Sequence, residues 1–262
     1  MKIREIFLGL TFALIWSSAF TSARISMFDA PPFLLLSVRF LISGLLALAI
    51  AHFLGQKIVF SAYQWTAIIV FGICQNTIYL GLNFVSMQWI DASIAAIIAS
   101  LLPLIVTIIS WIIFRDSLSK LGLLGLFIGI VGVMVIMSSH LTRQTSALGL
   151  LLCSIGVIAL AVATIVVRNT SQKNILAMVG LQMLVGSGTL FPLSLLFDTW
   201  QINWTMSLTL SFLYTTIFPG LVATLIWFRL LHEIGPIKAA SFHFLNPAFG
   251  VLIANLMLSE YV

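Results

Sequence analysis

The sequence predicts an all-α fold, a polytopic membrane helical bundle, and three observations support this prediction. The chain of 262 residues is 61% hydrophobic and only 7% charged, whereas soluble domains carry about 25% charged residues. Uncharged stretches recur along the chain, and about 20 apolar residues are enough to span the hydrocarbon core as a helix. Short polar or turn-forming joints separate these stretches, so each stretch is interpreted as one span.

Nine helices follow from this pattern of apolar stretches and joints. They cover residues 6–26, 32–53, 63–86, 92–114, 119–138, 147–167, 175–197, 207–231 and 238–258. The first stretch follows Lys2 and Arg4 but is too long for the core of a secretory signal, and it lacks a persuasive cleavage site. It is therefore interpreted as the first span.

The basic residues of the short joints predict the orientation, because cytoplasmic loops carry an excess of Lys and Arg. A cytoplasmic amino terminus leaves two basic residues, Arg24 and Arg143, on the outer side. Nine then lie on the cytoplasmic side: Lys2, Arg4, Lys57, Arg115, Lys120, Arg168, Lys173, Arg229 and Lys238. The net charge of +5 is thus a topology signal, and we expect no nucleic-acid partner.

When the sequence is shifted by 144 residues against itself, identical landmark residues of its two halves align. The equivalent pairs include Arg24 and Arg168, Ser43 and Ser187, Ala95 and Ala239, and Pro103 and Pro247. Five spans separate equivalent points, and an odd number turns the second copy upside down, as in many secondary carriers. The prediction is a first repeat of five helices over residues 1–138 and a second, inverted repeat of four helices over residues 145–262.

Short motifs at characteristic places extend this interpretation. They are Leu14 to Phe20; Pro31-Pro32 with Ser37-Val38-Arg39-Phe40; Ala92 to Ile98 with Leu102-Pro103-Leu104 and Phe114-Arg115-Asp116; His243 to Pro247; and Leu258-Ser259-Glu260. Together they resemble the EamA-type branch of the drug/metabolite transporter superfamily over essentially the whole chain. The resemblance implies ten helices, five per repeat, whereas this chain stops after the ninth. The tenth helix is apparently missing, so a fragment and a naturally shortened form are both open.

The third helix carries a polar stripe. Asn76, Tyr79 and Asn83 follow an i, i+3, i+7 spacing, and Gln75 precedes Tyr79 by four residues, so all four share one face. Such a stripe either lines a solute cavity or joins helices through hydrogen bonds worth about 1–2 kcal/mol or less in a membrane. We predict that these four residues contact the substrate.

The ninth helix carries a second stripe, in which His243 and Asn246 are the polar members. Asn246 precedes Pro247, whose missing amide hydrogen frees a backbone carbonyl one turn earlier. His243 is either a core histidine with satisfied partners or a proton relay, since histidine titrates near neutral pH. Both residues are predicted substrate contacts.

Four further candidates lie in other helices. Arg39 is a formal charge well inside a span, which makes it a functional candidate by default, and its planar fork suits a carboxylate; a structural role is equally open. Trp16 and Trp227 lie within helices instead of at the interfaces where tryptophan is enriched, so they form either a cavity wall or core packing. Gln182 is a weaker candidate.

These observations predict a secondary transporter that moves a small metabolite, an amino acid or related compound, by alternating access and in the direction of export. The alternatives are a non-transporting or inactive scaffold and a membrane enzyme. The sequence has no metal-ligand spacing, phosphate-binding glycine loop or serine elbow, so we expect no enzyme activity, no metal and no cofactor. The expected partners are a small-molecule solute and the lipid bilayer, and the architecture also allows a homodimer. We expect the chain in a bacterial inner (plasma) membrane, multi-pass, with its N-terminus cytoplasmic.

Overall fold

In the computed structural model the described part of the chain forms a bundle of nine long helices. The structure describes residues 2–115, 120–140, 146–168, 170 and 172–258, and no strand occurs among them. The helices are α1 Ile3–Met27, α2 Pro32–Phe53, α3 Ala62–Ser86, α4 Ala92–Phe114, α5 Lys120–His140, α6 Ala147–Val166, α7 Ile175–Phe197, α8 Met206–Ile234 and α9 Pro236–Leu258. The all-α prediction is confirmed, and every helix end lies within three residues of its predicted position.

Within the described residues, eight of these nine helices are long and apolar enough to cross a membrane. In α5 the apolar segment Lys120–Val135 is shorter than these eight. Large apolar side chains face outward, as Leu121 at 78% exposure and Ile112 at 64% illustrate, while polar side chains such as Gln182 are buried. This is the reverse of a water-soluble surface and suits a hydrocarbon environment, where helices satisfy their own backbone groups. The protein is a multi-pass membrane protein.

Four helices depart from regular α geometry along their length. α3 is π-helical over Gly72–Leu80, and α8 is π-helical over Thr216–Ala223. A turn interrupts α4 just before Leu102–Phe114, whose second residue is proline. A 3₁₀ segment, Ser241–Leu245, precedes Pro247 in α9. Proline lacks an amide hydrogen and clashes with the preceding turn, and π-helical stretches are frequent at functional sites.

These irregular segments recur at the same 144-residue offset that aligns the sequence landmarks. The regular first part of α3, Ala62–Phe71, has its counterpart in Met206–Thr215 of α8. The two π-helical segments begin at residues 72 and 216. The final segments of α4 and α9, Leu102–Phe114 and Asn246–Leu258, show the same offset. The helix bounds are in keeping with an internal repeat, while the inversion of its second copy stays a prediction.

Glycines allow close approach of the helices that surround the centre of the bundle. α2 packs along α7, where a Cβ on Gly44 would lie 3.0 Å from the carbonyl oxygen of Gly180 and a Cβ on Gly180 would lie 3.0 Å from that of Gly44. Membrane helices associate through small residues because there is no hydrophobic drive between them. α8 packs against α1 and α2, and α3 packs against α6 and α7. This arrangement leaves α1, α2, α3 and α8 around one interior space.

Candidate functional site

A narrow cavity lies between α1, α2, α3 and α8. Its volume, measured as the space open to a water-sized molecule, is about 20 Å³. Six predicted substrate contacts line it: Trp16, Arg39, Gln75, Asn76, Tyr79 and Asn83. The other four predicted contacts, Gln182, Trp227, His243 and Asn246, lie behind this lining layer and pack against it or its neighbours.

The two π-helical segments form two walls of this cavity. Gln75, Asn76 and Leu80 line the cavity from α3. From α8 it is lined by Pro219 and Gly220, which belong to the π-helical segment, and by Thr224, which directly follows that segment. Each α8 residue follows its α3 counterpart by 144 positions. We call these the α3 wall and the α8 wall. The α3 wall carries two amide side chains, whereas the α8 wall carries little beyond one hydroxyl.

Arg39 projects from α2 into the cavity. Its side chain is only 3% exposed, and its Nε has no hydrogen-bond partner among the described residues. The guanidinium carbon lies 5.2 Å from the centre of the Phe40 ring, which supplies a weak cation–π contact. A Cβ on Gly220 would lie 3.9 Å from Nε and 3.0 Å from the Thr215 carbonyl oxygen. Gly220 therefore leaves the space that the guanidinium needs.

Some side chains of the polar stripe of α3 are hydrogen-bonded within the protein, whereas others are not. Asn76 Nδ2 donates to the carbonyl oxygen of Gln182 at 3.0 Å and to its Oε1 at 2.5 Å, which joins α3 to α7. Asn83 Nδ2 donates within its own helix to the Tyr79 carbonyl at 2.8 Å. The Tyr79 hydroxyl and Gln75 Oε1 have no partner among the described residues although both are buried. Buried polar groups normally find partners, so a ligand in the cavity is a candidate partner for these two atoms.

An aromatic cluster, defined by Phe12, Trp16, Trp227 and His243, closes one end of the cavity. The ring centres of Phe12 and Trp227 lie 4.9 Å apart, and those of Trp227 and His243 lie 5.1 Å apart. Trp16 lies 6.0 Å from His243 and stacks at 6.3 Å on Tyr79. Trp16 is thus shared by the cluster and the cavity. Neither ring nitrogen of His243 has a hydrogen-bond partner in the described part of the chain.

The opposite end of the cavity is closed by a contact between α1 and α3. Arg24 donates a hydrogen bond from Nη1 to the carbonyl oxygen of Met87, and its guanidinium lies 5.2 Å from the centre of the Phe28 ring. Ala23 and Met87 both line the cavity. The arginine therefore spans the gap between the two helices at this end.

The predicted residues on α9 occupy the layer behind Trp16. Ser17 Oγ donates to Asn246 Oδ1 at 3.2 Å, while Asn246 Nδ2 has no partner within the described residues. His243 belongs to the aromatic cluster and does not line the cavity. Substrate contact by His243 or Asn246 would therefore require Trp16 to move, and their role stays a prediction.

The α8 wall was missed by the sequence interpretation. Pro219, Gly220 and Thr224 line the cavity, but none of them has a side chain that stands out as a binding group. A signal was available, because Pro-Gly occurs within a hydrophobic span beside Thr215 and Thr216. Interrupted helices of this kind often mark the substrate sites of transporters.

A second, wider cleft of about 790 Å³ lies on another face of α3, next to the joints that follow α1 and α7. Asp29 and Asp198 belong to its lining. Asp198 Oδ2 accepts a hydrogen bond from the Leu34 amide at 2.7 Å. Burial raises the pKa of the Asp198 carboxyl, an effect that this amide partly opposes. The cleft contains none of the predicted substrate contacts. The described residues also hold no group of three or more metal-ligating side chains.

Comparison with known proteins identifies the family. The EamA-like transporter family matches residues 3–138 and 147–262. The chain belongs to this family. The resemblance seen in the motifs is thereby confirmed, and the chain is a membrane transporter of the EamA type.

Similar proteins share this description at low sequence identity. An uncharacterized transporter of Bacillus subtilis, YvbV, is 25% identical over 99% of this chain and 85% of its own length. The uncharacterized inner membrane transporter YedA of Escherichia coli K12 is 26% identical over 97% of this chain and 84% of its own. A crystal structure matches 98% of this chain and 88% of its own with a TM-score of 0.78 and 19% identity, which shows a shared fold.

Proposed function

We propose that the protein is a secondary transporter that exports a small metabolite, an amino acid or a related compound, by alternating access. The observation that carries this proposal is the placement of Arg39 and the polar face of α3 in one enclosed cavity. Polar and charged groups inside a membrane are costly and typically mark substrate pathways. A substrate bound in this cavity would offset the free-energy cost of burying these polar groups.

Alternating access is supported by the two closures of the cavity. The aromatic cluster lies at one end, and the Arg24–Met87 contact lies at the other. A carrier must open one closure while the other stays shut, because a cavity open at both ends would be a channel. The two halves, residues 1–138 and 145–262, are the units that we propose to move against each other, as in other repeat-built carriers.

The proposed location is the bacterial inner membrane with the amino terminus in the cytoplasm. The excess of basic residues on that side supports the orientation. Glu233 at the end of α8 pairs with Arg4 of α1 at 2.7 Å and with Arg229 at 2.9 Å. These partly exposed pairs, each worth about 0–1 kcal/mol, would join the cytoplasmic ends of α1 and α8.

A counterflow experiment tests the transport proposal. Vesicles containing the purified protein are loaded with an unlabelled mixture of amino acids and their 2-oxo and 2-hydroxy analogues, and uptake of each labelled compound is measured. We expect uptake of at least one compound to exceed that of empty vesicles about tenfold, and Arg39→Gln to abolish most of it. Lys57→Gln, a change of the same charge in an exposed joint, serves as the control.

The scaffold alternative makes the opposite prediction. A correctly folded, monodisperse protein that moves none of these compounds would contradict the transport proposal. Equal uptake by the Arg39→Gln protein and the wild type would support the transport proposal but would show that Arg39 does not contribute to substrate binding.

A further inference from the structure

We infer that the cavity binds an organic anion, namely a monocarboxylate with an apolar body and without an ammonium group. This inference rests on the proposed function, since it names the substrate class of the same site. The inference narrows the proposed substrates from amino acids and related compounds to 2-oxo and 2-hydroxy acids.

The charge of the cavity supports the carboxylate. Arg39 brings a guanidinium into a space where its Nε has no partner among the described residues. An arginine cannot shed its proton as a lysine can, so the positive charge persists in the cavity. A carboxylate would supply the compensating negative charge and accept two parallel hydrogen bonds from the planar guanidinium.

The acidic residues argue against an ammonium group. None of the five described acidic side chains lines the cavity, and all five lie at helix ends or in joints. They are Glu5, Asp29, Asp91, Asp198 and Glu233. Four of them have other partners: Glu233 pairs with two arginines, Asp29 accepts from Thr205 at 2.7 Å, Asp198 accepts from the Leu34 amide, and Glu5 accepts from the Lys2 amide at 2.7 Å. A zwitterion would therefore place an uncompensated cation near Arg39.

The remaining lining residues define the rest of the ligand. Phe20, Phe84 and Met87 provide an apolar surface that suits a hydrocarbon or aromatic body. The Tyr79 hydroxyl and Gln75 Oε1 are buried without partners in the described residues. A hydroxyl next to the carboxylate could donate to Gln75, and an oxo or hydroxyl oxygen could accept from Tyr79.

Two matched series of probes separate charge from shape. The first is 3-phenyllactate, phenylalanine and phenethylamine, and the second is 2-hydroxyisocaproate, leucine and isoamylamine. Within each series the body is similar, while the head group is an anion, a zwitterion or a cation. Binding is measured as thermal stabilisation of the detergent-solubilised protein, and flux is measured by counterflow in vesicles.

We expect the anion of at least one series to raise the Tm of the wild type by about 2–4 °C at saturation and to bind about tenfold more tightly than the zwitterion. The amine should have no effect. Arg39→Gln should lose this stabilisation, whereas Arg39→Lys should keep part of it because the charge remains. Lys57→Gln should behave as the wild type. Circular dichroism and gel filtration check that both Arg39 variants fold.

The two readouts distinguish failure of the inference from failure of the transport proposal. Stronger stabilisation and flux by a zwitterion or an amine would overturn the inference and leave transport intact. Stabilisation by the anion without flux would support the inference and overturn transport. Failure of every probe to stabilise the folded wild type would overturn the inference.

Discussion

The α3 wall and the α8 wall of the cavity share a backbone geometry but differ in their side chains. Both are π-helical or adjoin a π-helical segment, and their lining residues correspond at an offset of 144 positions. Gln75 and Asn76 on α3 carry amides, whereas their counterparts on α8 are Pro219 and Gly220. The comparison shows that a repeated backbone can support different tasks. One wall presents hydrogen-bonding groups, and the other leaves room for Arg39.

The neighbours of each wall explain the difference. Asn76 packs against Gly186 of α7, where an added Cβ would lie 2.4 Å from the Asn76 Cβ, and it bonds to Gln182. On α8, Gly220 lies beside Arg39, and Thr224 Oγ1 donates to the Pro219 carbonyl at 3.3 Å. Proline has no amide hydrogen and glycine has no side chain, so the α8 wall combines irregular backbone with open space.

The largest effect should come from filling the α8 wall. In Gly220→Leu the new Cβ would lie 3.0 Å from the Thr215 carbonyl oxygen and 3.1 Å from Ser43 Oγ, and the rest of the side chain would occupy the cavity. We expect counterflow to fall at least about tenfold, which corresponds to about 1.4 kcal/mol. Gly188→Leu is the matched control, because an added Cβ there meets nothing within 4 Å. Equal loss in both variants would contradict this role of Gly220.

Removing one unpartnered group from the α3 wall should weaken substrate binding without loss of stability. Tyr79→Phe deletes a buried hydroxyl that has no partner among the described residues. We expect KM for the transported compound to rise about fivefold, about 1 kcal/mol for one hydrogen bond, and the Tm to stay equal or to increase. A decrease in Tm with unchanged KM would show that the hydroxyl is structural.

A smaller effect is expected where the α3 wall joins α7. A double-mutant cycle of Asn76→Ala and Gln182→Ala should give a coupling free energy of about 0.6–1.7 kcal/mol, because Asn76 donates to Gln182 Oε1 at 2.5 Å. Unfolding in mixed micelles measures this coupling. Additive effects of the two substitutions would mean that the contact contributes nothing to stability.

The smallest change should follow Thr224→Val on the α8 wall. The variant keeps the side-chain shape but loses the hydrogen bond to the Pro219 carbonyl. A single such bond in a membrane helix is worth about 0.6 kcal/mol, so the free energy of unfolding should fall by about this amount. Chemical denaturation with the wild type as reference provides the measurement. A loss above about 2 kcal/mol would indicate that this hydroxyl supports the whole π-helical segment.

The sequence by itself determined the membrane fold class, the positions of nine helices and the family. These properties depend on local features, namely the length of apolar stretches, the joints between them and short motifs, so they are visible without a partner helix. The sequence also placed the residues of the α3 stripe on one helix face, and the structure places Gln75, Asn76, Tyr79 and Asn83 along the cavity. Their contact with a substrate stays a prediction.

Only the tertiary structure decided how each candidate is used. It placed Arg39 beside Gly220, bonded Asn76 to Gln182, and put His243 and Trp227 in the aromatic cluster behind Trp16. A hydrophobic period of 3.6 residues assumes a regular helix, whereas α3 and α8 change pitch where they face the cavity. The rotation of each helix and its distance from its neighbours follow from packing across the bundle, and local sequence patterns do not contain that information.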